Sequence, residues 1–213
     1  MRPSTQRAFL ASVLAATLSV AVSGCAPAVL GGAVIGSMVA LDRRTSGSQL
    51  EDEGIELRSA SRIREQLGDR VHVNVASYNR QVLLTGEVPN DKDKQQVELI
   101  VSKVDNVRAI VNELTVLGNT TFAQRSSDAL VTGRVKAGLI DARDLYAGAF
   151  KVVTERGVTY LMGRVSQREA NRATDIARST TGVQKVVRIL EIISEEELQR
   201  LLPASATAEP TKK

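Results

Sequence analysis

Side chains suited to catalysis, metal binding and aromatic packing are scarce in this sequence. The 213 residues include no Trp, one Cys and one His, and aromatic residues make up 3% of the chain. A Cys–His pair, or a zinc site built from Cys and His, needs more of these side chains than Cys25 and His72 supply. We therefore expect no catalytic residues, no metal site and no cofactor, and we predict that the protein is not an enzyme.

The first 24 residues have the pattern of an export signal. Two arginines precede an apolar run from Phe9 to Val22 that is shorter than a typical membrane-spanning helix. The run ends in Val22-Ser23-Gly24-Cys25, which resembles the lipobox of bacterial lipoproteins. The resemblance implies that Cys25 becomes the first mature residue and carries acyl chains such as palmitate, which leaves no thiol for a disulfide. A plain signal peptide followed by a chance or structural cysteine is the alternative.

Composition divides the remainder of the chain. Residues 25–49 are predicted to be a lipidated linker, first apolar and glycine-rich and then polar at Thr45–Gln49. Two globular domains are expected at 50–118 and 122–194. Residues 195–213 are predicted to form a short helix that begins at the Glu195–Glu197 run, followed by a tail of disordered composition.

An internal repeat organises the two domains. The motif Leu84-x-Gly86-x-Val88 returns 77 positions later as Leu161-x-Gly163-x-Val165. In both copies a charged helix follows, and then a turn and a valine-rich strand. Two copies this far apart are too few for a solenoid, so the repeat indicates tandem small domains.

Each repeat has the periodicities of an αββαβ unit. Its helices carry apolar residues on one face, and in the first strand of the first repeat Val71, Val73 and Val75 alternate with polar residues. The first repeat is predicted to contain a helix from near Leu50 to Gly68, strands at Val71–Val75, Gln81–Gly86 and Val107–Val116, and a helix after Asn90. The second is predicted to contain helices at Ser127–Ile140 and Gln167–Thr180 and strands at Phe150–Glu155, Val158–Val165 and Val183–Ile193. The fold class is therefore α+β, two tandem two-layer sandwiches, each with a three-stranded sheet and two helices.

The doubled pattern of a glycine after a hairpin strand, a charged helix, a Gly/Asn-Val turn and a valine-rich strand resembles the BON domain. The likeness covers about Leu50 to Ile193, and two copies behind a lipobox resemble the dual-BON outer-membrane lipoproteins. The resemblance implies a non-enzymatic, periplasm-facing protein that binds anionic phospholipid and supports outer-membrane integrity. Ala26, rather than Asp, after the cysteine also suggests the outer membrane. We expect neither nucleic acid nor a small-molecule substrate as partner.

Charge differs between the repeats. Residues 50–118 contain nine Lys or Arg against twelve Asp or Glu, a net charge of −3, whereas residues 122–194 contain twelve against seven, a net charge of +5. A basic second domain favours attraction to anionic headgroups, since each Lys or Arg near such a surface contributes about 1 kcal/mol. The alternative is that the basic excess only aids solubility.

The first helix of the second repeat is the candidate lipid-binding element. At 100° per residue, Val131, Val135 and Leu139 lie on one face, which we predict to pack on the sheet. A second apolar face with basic borders can enter a membrane interface, and it comprises Leu130, Gly133, Arg134, Lys136, Ala137 and Ile140. Leu130 stands where the resembled family has an interfacial tryptophan. Two alternatives remain: that Leu130 and Ile140 pack against the first domain, and that this face is part of a scaffold for an outer-membrane assembly protein.

Overall fold

The structure is a computed structural model that describes residues 42–201. The expected export signal, the acylated Cys25, the apolar linker segment before residue 42 and the C-terminal tail lie outside these residues. The first repeat contains α1 (Ser46–Leu67), β1 (His72–Tyr78), β2 (Gln81–Val88), α2 (Asp91–Ser102), β3 (Ala109–Asn112) and β4 (Thr115–Val116). The second contains α3 (Phe122–Asp141), β5 (Phe150–Glu155), β6 (Val158–Ser166), α4 (Gln167–Ser179) and β7 (Lys185–Ile193), and α5 (Glu195–Leu201) follows.

The predicted α+β class and the αββαβ order are confirmed. In each sheet the first two strands are antiparallel, and the last strand lies parallel to the central one. The predicted third strand of the first repeat is broken into β3 and β4, both of which pair with β2. The Asn112 side chain accepts a hydrogen bond from the Leu114 N–H at 3.2 Å, and Leu114 is buried. This local bond competes with the strand ladder at the break.

The repeated glycine of the Leu-x-Gly-x-Val motif is needed for close packing of the hairpin. A Cβ atom at Gly86 would lie 2.1 Å from the carbonyl oxygen of His72, and one at Gly163 would lie 2.5 Å from that of Ala149. Gly86 also has a φ of +113°, a backbone conformation that residues other than glycine rarely adopt. The motif therefore marks the point at which the two hairpin strands approach most closely.

A buried aspartate on the first helix holds the hairpin turn of the first repeat. Asp52 accepts hydrogen bonds from the N–H groups of Asn79 and Arg80 at 2.7 and 2.8 Å, and from the Ser77 hydroxyl at 2.6 Å. Both turn residues have positive φ without being glycine. Burial opposes ionisation of Asp52, but the hydrogen bonds from Ser77, the turn and Arg44 hold its pKa below the usual range.

The second repeat has the same device. Asp128, buried on α3, accepts hydrogen bonds from the N–H groups of Arg156 at 2.9 Å and Gly157 at 3.0 Å. These residues form the turn between β5 and β6, and both have positive φ. Because a carboxylate satisfies the turn N–H groups in each domain, the helix and the hairpin are fixed to one another in the same way twice.

Each domain has an aliphatic core between its helices and one face of its sheet. The predicted stripe of α2, Val97, Ile100, Val101 and Val104, is buried. On α4 the predicted alanines are fully buried and Ile176 is partly buried. Alanine allows α4 to lie close to the sheet, since small side chains permit close approach of backbones.

The faces of the two sheets that carry no helices pack against each other. This sheet–sheet interface contains Ala76, Tyr78, Leu83, Tyr160, Met162 and Ile189, with Val111, Val153, Val158 and Val187 at its edges. Burial raises the pKa of Tyr78 to about 12. The central strands β2 and β6 are thus buried on both faces.

Residues just before α1 join the two domains. Arg43 binds Glu169 through two bonds of 2.6 and 2.8 Å, with side-chain exposures of 0% and 1%. Burial opposes ionisation of Glu169, but Arg43 and the Ser166 N–H hold its pKa below the usual range. Arg44 binds Asp52 of the first domain at 2.7 Å.

The prediction that Thr45–Gln49 is a polar linker is wrong. Thr45 is the N-cap of α1, and its hydroxyl accepts a hydrogen bond from the Ser48 N–H at 3.1 Å. A side-chain oxygen at this position satisfies an N–H group that has no partner within the helix. The helix therefore begins at Ser46, before the expected start of the domain.

Candidate functional site

The candidate helix is longer than the sequence predicted. It begins at Phe122 rather than Ser127, because Thr121 and Gln124 form a capping box. The Thr121 hydroxyl accepts from the Gln124 N–H at 3.3 Å, and the Gln124 side chain accepts from the Thr121 N–H at 2.9 Å. The sequence motif Thr-x-x-Gln marks this helix start. The apolar stripe of the helix begins several residues later, and a start predicted from the stripe is therefore too late.

The face of α3 that packs on the second sheet is the predicted one. Val131, Val135 and Leu139 are 0–4% exposed and belong to the core of the second domain. Gly138 lies close to α4, since a Cβ atom there would meet Ile176 at 2.9 Å. This packing leaves the other side of the helix in solvent.

All six predicted phospholipid-binding residues lie on the exposed part of α3. Leu130 is 63% exposed and Ile140 is 48% exposed. A Cβ atom at Gly133 would meet nothing within 4 Å, so no other element of residues 42–201 covers the middle of this face. The remaining members, Arg134, Lys136 and Ala137, are exposed as well.

Phe122 adds an aromatic side chain that lies ahead of the predicted helix start but within the helix of the structure. It is 79% exposed. At 100° per residue, Phe122, Gly133 and Ile140 point within about 20° of one another, and Leu130 lies about 80° to one side. We call Phe122, Leu130, Gly133, Ala137 and Ile140 the apolar α3 face.

Basic residues border the apolar α3 face. Arg125, Arg134, Lys136 and Arg143 are exposed. Among residues 42–201 none of these four side chains is in an ion pair. Arg134 reaches only a long contact of 3.5 Å with the carbonyl oxygen of Thr181. Their charges are therefore available to an external anion.

The alternative that Leu130 and Ile140 pack against the first domain is wrong. The domains meet through their sheets, and α3 lies on the far face of the second sheet. The apolar α3 face is thus exposed although the domains are in contact. None of the helices within residues 42–201 combines the length and the apolar character that a membrane crossing requires.

Comparisons with known proteins identify the repeated unit. The BON domain matches residues 56–118 and 127–193. The chain belongs to the BON-domain family. Its two BON domains, BON1 and BON2, correspond to the two repeats of the structure.

Two curated relatives match the chain over most of their own length. The chain is 37% identical over 186 residues to the outer membrane lipoprotein DolP of Haemophilus influenzae, a match that spans 86% of this chain and 95% of DolP. It is 30% identical over 155 residues to the 21 kDa hemolysin of Actinobacillus pleuropneumoniae, which spans 72% of this chain and 80% of that protein. A solved C-terminal domain of CdsD from the type III secretion system of Chlamydia trachomatis is 13% identical, with a TM-score of 0.28 and coverage of 71% of this chain and all of that domain. That score is too low to support a comparison.

Proposed function

We propose that this protein is an outer-membrane lipoprotein, acylated at Cys25, whose BON2 domain binds anionic phospholipid through the apolar α3 face. The single observation that carries the proposal is the combination of three large apolar side chains, 48–79% exposed, with a basic border on one helix. A soluble helix needs only one apolar stripe, and α3 has already buried one in its own domain.

The energetic terms favour a membrane interface over bulk water. Full burial of a Phe, Leu or Ile side chain contributes about 1.5–3 kcal/mol. Each basic residue near an anionic surface adds about 1 kcal/mol, and this part weakens with salt. Phe122 adds an aromatic ring to this face, and Phe, like Trp and Leu, is a side chain of the apolar face of helices that lie in membrane interfaces.

Two observations support a location in the outer membrane, facing the periplasm. The chain is similar to DolP, which is named an outer membrane lipoprotein, and it has lipobox-like residues that end at Cys25. More than one acyl chain anchors a protein stably, whereas a single chain gives only marginal binding. In this proposal the acyl chains keep the protein at the membrane and BON2 selects anionic lipid. The role that follows is support of outer-membrane integrity.

Vesicle co-sedimentation tests the lipid site without the anchor. The chain should start at residue 42, because a later start would remove the Arg43–Glu169 pair. We expect binding to vesicles that contain phosphatidylglycerol, weaker binding at high salt, and little binding to phosphatidylcholine alone. Leu130→Asp should abolish binding, whereas the matched variant Leu57→Asp, at a BON1 position that is 73% exposed, should bind like the parent. Equal binding to both vesicle types, or equal loss in the two variants, would contradict the proposal.

A second candidate function is a scaffold for an outer-membrane assembly protein, with membrane attachment supplied by the acyl chains alone. Leu50 and Leu57 favour it, since they are 72% and 73% exposed and lie two turns apart on α1 of the acidic BON1 domain. Photo-crosslinkers at positions 57 and 130 in cells separate the two candidates. Lipid adducts support the phospholipid site, and one protein adduct supports the scaffold.

A further inference from the structure

A cluster of one histidine and two glutamates lies at the junction of BON1 and BON2. His72 is on β1, Glu87 is on β2 and Glu155 ends β5, so both domains contribute. One candidate ligand atom from each residue lies within 4.8 Å of the other two. His72 Nδ1 and Glu87 Oε2 are already 2.9 Å apart.

Glu155 has an oxygen that nothing in residues 42–201 satisfies. The residue is 7% exposed, and its Oε2 accepts a hydrogen bond from the Asn74 amide at 2.7 Å. Its Oε1 is buried without a hydrogen-bond partner. Burial, and to a lesser extent the nearby Glu87 carboxylate, raise the pKa of Glu155. A buried carboxylate oxygen without a donor is costly, and a cation is one way to satisfy it.

Both carboxylate oxygens of Glu87 are held by further neighbours, in the manner of an outer ligand shell. Arg156 lies 3.3 Å from Oε1, and the Thr120 N–H and hydroxyl donate to Oε2 at 3.2 and 3.1 Å. Such contacts fix the orientation of a carboxylate that binds a metal. The His72 side chain is 19% exposed, which leaves a route for an ion from solvent.

We propose that His72, Glu87 and Glu155 bind one Zn²⁺ ion that joins BON1 to BON2. One imidazole nitrogen and two carboxylate oxygens form a ligand set that suits zinc, with bonds of about 2.0–2.2 Å. Ligand atoms around tetrahedral zinc are about 3.3 Å apart, so the widest separation, which is at most 4.8 Å, must contract by about 1.5 Å at most, whereas the 2.9 Å between His72 Nδ1 and Glu87 Oε2 must open slightly. Mg²⁺ and Ca²⁺ favour sites made only of oxygen, and the imidazole discriminates against them.

One histidine and two carboxylates do not follow the Cys and His spacings that mark zinc sites in a sequence. Moreover, His72, Glu87 and Glu155 are far apart along the chain. The antiparallel register of β1 and β2 places His72 opposite Glu87, and only the sheet–sheet interface brings Glu155 beside them.

Zinc titration of the full chain in detergent, after treatment with a chelator and with any affinity tag removed, tests the proposal. We expect one Zn²⁺ per chain by calorimetry and by elemental analysis. At free zinc about a hundredfold above its dissociation constant, the melting temperature should rise by about 5–10 °C. Mg²⁺ and Ca²⁺ at the same concentration should leave it unchanged.

Three variants locate the ion. Glu155→Gln keeps the side-chain volume and its acceptor for Asn74, and should weaken zinc binding by at least ~100-fold, more than the loss of an outer-shell partner. His72→Gln should do the same, and provides a second test if one variant does not fold, as judged by circular dichroism. The matched control Glu196→Gln changes an exposed carboxylate and should bind zinc like the parent. Absence of one-to-one binding in the parent, or unchanged affinity in both Glu155→Gln and His72→Gln, would overturn the proposal.

Discussion

The sheet–sheet interface predicts that one leucine affects the stability of both domains. Leu83 is 0% exposed and packs between the sheets with Tyr160 and Met162. Leu83→Ala removes three carbon groups at about 0.8 kcal/mol each, or about 2.4 kcal/mol, before any cavity is counted. With a cavity that only partly collapses, we expect a loss of about 3 kcal/mol in the free energy of unfolding.

Urea unfolding followed by far-ultraviolet circular dichroism measures this loss. With a dependence of about 2 kcal/mol per molar urea, the midpoint should fall by about 1.5 M. Leu57→Ala is the matched control, because Leu57 is 73% exposed and surface substitutions change stability by about 0.5 kcal/mol or less. A loss below about 1 kcal/mol for Leu83→Ala would refute the packed interface. Two separate transitions, of which only one shifts, would refute the coupling of BON1 to BON2.

Two further predictions concern the repeated devices of the fold. Gly163→Ala should lower the free energy of unfolding by about 1–3 kcal/mol, because the added carbon would lie 2.5 Å from a backbone oxygen. Gly133→Ala, on the open side of α3, should raise it by about 0.5–1 kcal/mol. Thermal unfolding of the two variants checks this, and equal effects would contradict it. Asp52 has a lowered pKa in the fold, so its contribution is complete above the unfolded pKa of about 3.9 and is lost as pH falls through the lower folded value. Asp52→Asn should therefore be less stable than the parent at pH 7, and the difference should narrow below about pH 4. Urea unfolding from pH 7 to pH 3 measures this, and a constant difference would show that the charge of Asp52 does not account for its contribution to stability.

Periodic patterns predicted most of the fold because they depend on near neighbours in the chain. The stripe of α2 and the buried face of α3 follow from the 3.6-residue repeat alone, and Gly68 caps α1 as expected. The start of α3 was misplaced because its first turn carries polar residues, and only the capping box marks it. The candidate lipid-binding residues were placed correctly on the solvent side, since a residue that cannot face the sheet must face away from it.

The sheet–sheet interface can be recognised in the sequence from uninterrupted apolar segments in the central strands. In β2 the segment Val82-Leu83-Leu84 is apolar without interruption, and in β6 Tyr160-Leu161-Met162 is too. A strand with apolar residues on both faces is buried on both faces, so each central strand needs a second covering layer. In each domain the helices cover one face of the sheet, and this leaves the other apolar face of each sheet without a helix. Mutual packing of the sheets is the arrangement that removes both from water.

The basic residues of BON2 include some that pair with acidic residues of BON1 and others that are free to attract anionic lipid. Lys151 and Arg156 of BON2 pair with Glu56 and Glu87 of BON1, so part of the basic excess neutralises acidic residues across the interface. Those cations are already paired and contribute little to attraction of lipid. The basic border of the apolar α3 face is unpaired among residues 42–201, as are Arg178, Lys185 and Arg188, and it lies on the side of BON2 away from BON1. Binding to anionic vesicles should therefore depend on the four arginine and lysine residues around α3, and net charge of the whole domain overstates its salt dependence.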